Sequence, residues 1–343
     1  MEAATKKALL KPPRENGEIL FVPEAETFSA ALRGARRAVT CHQLVFFHPG
    51  IAIRFHLINS LGPATGCLLF MDTDRTLLQA RIPCREGESK VCGLLSTERA
   101  LYRNVSLRID RLERFFKVVG EEFVRRTGSG LPDAVQAYER YVQICMGLDR
   151  DMPLRERLAE SFVRFSGFEV PYHFLSDLFA GDAFRDFFLR IFDDERRFRE
   201  VYNRTLHRYK ERFRFRFRNF PFPELKSGEL PFWVEQKGVR CQFRVDRFNA
   251  RDIQRSTILP KASPLTLFLR MHYCDHFVHG VGGANYEWVN DRIAEEFFGV
   301  ELRPWSVLSA TFHLGGIPER DYPFFFMAPR EVERRLRKTG LVA

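Results

Sequence analysis

An α/β fold built on a mostly parallel sheet is what this sequence predicts, and three observations carry it. Helix-like periodicity and short apolar runs alternate along the first part of the chain, as they do where crossover helices join strands. One run, Gly66-Cys67-Leu68-Leu69-Phe70-Met71, is apolar without a break, which suits a strand buried on both faces. Two short segments far apart, Ala38-Val39-Thr40-Cys41-His42-Gln43 with His48-Pro49-Gly50, and His279-Gly280-Val281-Gly282-Gly283-Ala284-Asn285-Tyr286, each follow an apolar run and precede a helical pattern. A tight turn between a strand and a helix N-terminus presents free N–H groups, so both segments are candidate loops of one anion site.

Residues 1–24 are polar and contain proline, and read as an N-terminal arm. A helix is expected over Ala25 to Arg37, a short buried strand over Ala38 to Thr40, and a second helix over Ile51 to Leu61 after the Pro49-Gly50 break. The apolar strand 66–71 ends in Asp72-Thr73-Asp74, where open α/β sheets place their ligands. Leu77 to Pro83 reads as the next strand, which completes the alternation of a doubly wound, Rossmann-like sheet.

From Thr97 to Lys210 the pattern is mainly helical, with amphipathic stretches at Leu112 to Arg126, Asp133 to Met146 and Ala183 to Lys210. The expected organisation is therefore a Rossmann-like core in two parts, 25–125 and 226–343, split by a helical insertion over 126–225. Arg212 to Arg218 alternates Arg and Phe, which reads as a fraying helix end or an edge strand. Leu230 to Glu235 and Val239 to Val245 predict a hairpin around Lys237-Gly238. Leu265 to His279 reads as a helix, or a helix followed by a strand. Tyr286 to Phe298 reads as a helix stopped by Gly299, Trp305 to Leu314 as a final strand, and Pro329 to Lys338 as a final helix.

The 343 residues, 45 % hydrophobic, are enough for a large core. Arg, Asp or His interrupts every apolar run, so no membrane span is expected. Met1 to Arg14 has lysines but no apolar signal core, which points to the cytoplasm. The seven cysteines form no CxxC pair and are odd in number, as expected of reduced thiols. Only Cys41 lies in a candidate loop.

The net charge of +10 fits an anionic small ligand or nucleic acid. Arginines are interleaved with acids, as in Asp193-Asp194-Glu195-Arg196-Arg197, and no RNA-binding signature or zinc-finger spacing occurs, so nucleic acid is the weaker choice. The 35 phenylalanines suit a core rather than a base-stacking platform.

Within the first loop, His42 has the chemistry of an acid or base and Gln43 that of a two-way hydrogen-bonding group. Thr40, His48, Gly50 and Arg54 are candidate anion contacts, Arg54 lying one turn into the next helix. Asp72 and Asp74 suit an amine, a ribose or a magnesium ion, or equally a helix cap. In the second loop, Gly280, Gly282 and Gly283 permit close backbone approach, and His279, Asn285 and Tyr286 can reach a ligand. The spacing is neither GxGxxG nor a Walker loop. A rival arrangement puts His272, His276 and His279 on one helix face as zinc ligands. Asp275 and His279, four apart, can form a carboxylate–imidazole pair.

These segments resemble one known family. Thr40-Cys41-His42-Gln43, the following Pro49-Gly50 and the helical Arg54 resemble its Thr-Gly-Gln-Gln motif, later Gly-Pro and helical Lys. Leu69 to Asp74 resembles its strand ending in Asp-His-Asp, and His279 to Tyr286 its Gly-Gly turn ending in Glu-Ile-Ala-Tyr. The family is the cysteine ligases of bacillithiol biosynthesis. Cys41, His42 and Arg54 stand where that family has Gly, Gln and Lys. The resemblance implies a Rossmann-like core and ligase-like or transferase-like chemistry on a small polar amine, carboxylate or thiol. In it His42, Gln43 and Asp74 form the catalytic set, with ATP or ADP and magnesium as candidate cofactors. A non-catalytic binding or scaffold protein on the same fold is the alternative, and homo-oligomerisation is left open.

Overall fold

The structure is a computed structural model and describes residues 18–22, 25–44, 49–75, 79–83, 89–93, 100–127, 132–213, 222–248, 250–284 and 286–311. Eleven strands occur in chain order among these residues. β1 (Glu18–Val22), β2 (Ala38–Gln43), β3 (Gly66–Met71), β6 (Tyr172–Phe174), β10 (His276–His279) and β11 (Trp305–Thr311) form one six-stranded sheet. β4 (Gln79–Pro83) pairs only with β5 (Ser89–Gly93), and β7 (Glu229–Gln236), β8 (Val239–Arg244) and β9 (Thr257–Pro260) form a third sheet.

The main sheet runs β1-β11-β10-β2-β3-β6, and every pairing except β1 with β11 is parallel. Numbered along the chain, the five parallel strands lie in the order 3-2-1-4-5, that of a doubly wound sheet. The α/β class with a mostly parallel, Rossmann-like core is thus what the molecule has. Chain order reverses between β2 and β10, so this pair of neighbours is the topological switch point.

Side chains alternate across the sheet as a two-residue period requires. Val39, Cys67, Leu69, Phe277 and Val307 face one core, while Ala38, Leu68, Phe70, Val278 and Leu308 face the other. Gly66 has a packing reason: a Cβ there would collide with the backbone carbonyl of Ile58 in the helix above.

The helices are α1 (Ala25–Arg33), α2 (Pro49–Ser60), α3 (Ile109–Thr127), α4 (Pro132–Met146), α5 (Leu154–Ser166), α6 (Leu175–Phe179), α7 (Asp182–Asp193) and α8 (Glu195–Phe213). They continue as α9 (Ala250–Arg255), α10 (Ala262–Phe268), α11 (Val281–Ala284) and α12 (Glu287–Ile293). α1 to α5 pack on one face of the sheet, and α7, α8, α10 and α12 on the other. The segment expected as a helical insertion, 126–225, contains β6 of the core sheet. Its helices divide between the two faces of the sheet around that strand, because an amphipathic helix buries its stripe wherever apolar sheet surface is open.

Several expected boundaries shift. β1 lies in the segment read as an arm: its Ile19-Leu20-Phe21-Val22 run is apolar and β-prone, unlike the polar residues around it, and it pairs with β11. β2 runs on to Gln43, so Cys41, His42 and Gln43 are strand residues rather than loop residues. The long helix expected over Ala183 to Lys210 breaks at Asp194 into α7 and α8. The hairpin forms as expected: Lys237 and Gly238 both have positive φ, 51° and 77°, as a tight two-residue turn demands. Gly299, at φ 72°, stops the helix before it. The 329–338 helix and most of the Arg–Phe alternation lie outside the described residues. Among the described residues no helix is long and apolar enough to cross a membrane.

Candidate functional site

The ladder between β2 and β10 covers only His276 with Ala38 and Phe277 with Val39. Beyond it the hydroxyl of Thr40 donates to the carbonyl of Val278 at 2.8 Å, a side chain doing the work of a ladder bond. This is the switch point, the place where open α/β sheets hold ligands.

Arg54 reaches it from α2. It is 5 % exposed. Its Nε donates to the carbonyl of Gly50 at 3.1 Å and its Nη1 to Thr40 Oγ1 at 3.2 Å. Among the described residues no carboxylate lies within 4.0 Å of it, and Nη2 makes no hydrogen bond. Burial lowers its pKa to about 10, so the guanidinium is still charged at neutral pH. A buried cation with no counter-charge is unfavourable and asks for an anion.

The neighbours are uncharged. Burial pushes the Cys41 thiol up to about 12 and the Tyr286 phenol up as well. A helix N-terminus near Cys41 would lower its pKa, but here burial outweighs that and the pull of Arg54. Burial also pushes the His279 imidazole down, against the pull of Glu287.

Each glycine of the second loop has a different environment. A Cβ on Gly280 would sit 3.3 Å from Cζ of Arg54, so the bare backbone packs on the guanidinium. A Cβ on Gly283 would approach Nδ1 of His279 to 2.5 Å and the Tyr286 hydroxyl to 3.4 Å. Gly282 meets nothing within 4 Å. Gly283→Ala is expected to destabilise the fold by about 1–3 kcal/mol through overpacking, and Gly282→Ala to stay within about 0.5 kcal/mol of wild type. Urea denaturation of the two variants checks this, and equal midpoints would contradict the packing described. The α11 helix after this turn has only four residues, too short to add much helix dipole to the site.

Behind the loop stands a buried ion-pair cluster that the sequence did not disclose. Nη1 of Arg270 pairs with Glu287 Oε2, and its Nη2 with Asp291 at 2.7 Å. Nε2 of His279 lies 3.1 Å from Glu287 Oε1 but off the line of a good hydrogen bond. Burial alone would raise the Glu287 carboxyl; His279 and Arg270 reverse this and hold it at about 2. The available signal was a polar i, i+3 pair, Glu287 and Asn290, on the inward face of α12 beside Val289 and Ile293. Asp275, the expected partner of His279, instead accepts from the Arg37 amide at 3.1 Å.

The two strand-end aspartates are committed to the protein. Asp72, fully buried, accepts from Arg155 at 2.8 Å and from the amide and hydroxyl of Ser176 at 3.0 and 2.6 Å. It caps α6 rather than orienting a ligand. Asp74 binds Gln43, Arg240 at 2.5 Å and the amide of Arg75 at 2.8 Å. Both carboxylates are engaged by arginines, and Gln43 and Asp74, in contact with each other, join the β7–β8 hairpin to the sheet through Arg240.

His42 is half-buried, with Nδ1 3.1 Å from the carbonyl of Gln43. His48 and Asn285 lie outside the described residues. The three-histidine zinc arrangement does not form. His272 sits in a π-helical turn, Leu269–Tyr273, and His276 and His279 in strand β10 point to opposite faces of the sheet. His276 bonds Ser306 Oγ at 2.8 Å, and among the described residues no group of three or more His, Cys, Asp or Glu could hold a metal.

Thr40, Arg54, Gly280, Gly283, His279 and Tyr286 are thus gathered beside the switch point, and Asp72, Asp74 and Gln43 are hydrogen-bonded to other parts of the protein. Fold and site together define an α/β protein with an uncompensated cation at its switch point. Neither models of known protein families nor the sequences of curated proteins match the chain.

Proposed function

We propose that the protein binds a small polar anion at the carboxyl ends of β2 and β10 and acts on it in a ligase- or transferase-like reaction. One observation carries the binding: Arg54 is buried and charged, with no carboxylate partner among the described residues, at the place where doubly wound sheets hold ligands. The chemistry rests on the resemblance to the cysteine ligases, in which His42 is the proton-transferring group and Arg54 the anion contact. The engagement of Gln43, Asp72 and Asp74 by the protein itself favours a second reading, a binding protein that keeps the fold without the reaction.

Thermal unfolding against nucleotides, cysteine, amino sugars and simple carboxylates tests the binding. A ligand at a hundredfold excess over its Kd adds about 2.7 kcal/mol of stability, and the shift should vanish in Arg54→Met. A shift that persists in Arg54→Met would move the site elsewhere. His42→Ala separates the two readings: lost turnover with retained binding supports the enzyme, and a ligand that is bound but never converted by wild type supports the binding protein.

A further inference from the structure

We propose that the Arg54 site accepts a single negative charge, so that its ligand presents a singly charged oxyanion, a carboxylate or phosphodiester, and a phosphate monoester is refused. The inference rests on the anion-binding reading and narrows it to a charge class.

The charges around Arg54 set this limit. Every carboxylate named near the site already faces an arginine. Glu287 is matched by Arg270, Asp72 by Arg155 and Asp74 by Arg240. Arg270 and Arg155 each face a second carboxylate as well, Asp291 and Asp177, with side chains 33 % and 59 % exposed. Cys41, Tyr286 and His279 stay neutral near pH 7 for the reasons of burial given above. Among the described residues Arg54 is the one of these four arginines that faces no carboxylate.

Hydrogen-bonding capacity agrees with the count. A guanidinium has five N–H donors. Arg54 spends one on Gly50 and one on Thr40, which leaves one on Nη1 and two on Nη2. That edge matches two oxygens of one carboxylate or one phosphodiester. A dianion would bring a second charge with no cation to meet it, in a site from which most water is excluded.

Two probes differ by one methyl group and one charge. At pH 8 dimethyl phosphate is a monoanion and monomethyl phosphate a dianion, and acetate represents the carboxylates. Each is titrated into wild type at constant ionic strength and followed by calorimetry and by the unfolding midpoint. The expected result is binding of acetate or dimethyl phosphate at least tenfold tighter than monomethyl phosphate, lost in Arg54→Met. Should that variant not fold, Gly280→Ala serves, because its methyl lies 3.3–3.5 Å from the same guanidinium and should weaken the same binding. Monomethyl phosphate binding as tightly as the monoanions, and losing that binding in Arg54→Met, would overturn the charge limit while leaving the anion site standing. No binding by any probe, or binding indifferent to both variants, would overturn the charge limit and the anion site together.

Discussion

Arg54→Met is expected to abolish anion binding and to leave the ligand-free protein at least as stable as wild type. Removing one member of a buried ion pair normally strands the other, at a cost of about 3–5 kcal/mol. Here the described residues hold no partner carboxylate to strand. What is lost is two hydrogen bonds to neutral acceptors, each worth about 1.5–3 kcal/mol because the donor is charged. Thr40 keeps its own bond to Val278. What is gained is relief of the desolvation of a guanidinium, itself several kcal/mol, while methionine fills much of the volume of the stem. A binding residue whose removal does not destabilise the empty protein is the signature of strain kept for a ligand. Urea denaturation with and without a bound anion measures both halves. A loss beyond about 2 kcal/mol in the empty protein would make Arg54 a structural residue instead.

Glu287→Gln is expected to have the largest effect on stability, a loss of about 3 kcal/mol at neutral pH, because the buried Arg270 then keeps only the partly exposed Asp291 as a counter-charge. The pH profile carries the same information. Glu287 titrates near 2 in the folded chain against about 4.3 in an unfolded one, so its contribution is complete above pH 4.3 and lost as pH falls towards 2. His276 acts at higher pH. Burial lowers its imidazole to about 4 from about 6.5, so the unfolded chain takes up the proton first, and stability declines from about pH 6.5 down to 4. Wild type should therefore lose stability in two acid stages, and Glu287→Gln should lack the lower one. An unaltered lower stage would show that Glu287 is not held by Arg270 as described.

Both residues show what kind of feature a sequence discloses. Arg54 is visible because it stands one turn into a helix that follows a strand, a purely local relation. The apolar run of β3 and the Lys237-Gly238 turn are visible for the same reason. Glu287 and Arg270 are seventeen positions apart on separate elements, and each looks like an ordinary surface charge until the π-helical turn and α12 are brought face to face. The three histidines mislead in the opposite direction: their spacing is right for a helix, but strand pairing with β2 and β11 claims His276 and His279 and divides them between the faces.

The sequence by itself determined the α/β class, the two segments that meet at the site, and the hairpin turn, since hydrophobic period and turn chemistry are written into neighbouring residues. Only the tertiary structure decided that β6 completes the sheet and that Asp72 and Asp74 are bound to arginines. It alone decided, too, that Arg54 is left without a carboxylate. Charge compensation depends on which groups become neighbours in space, and burial sets how strongly they act on one another; neither is a property of adjacent residues.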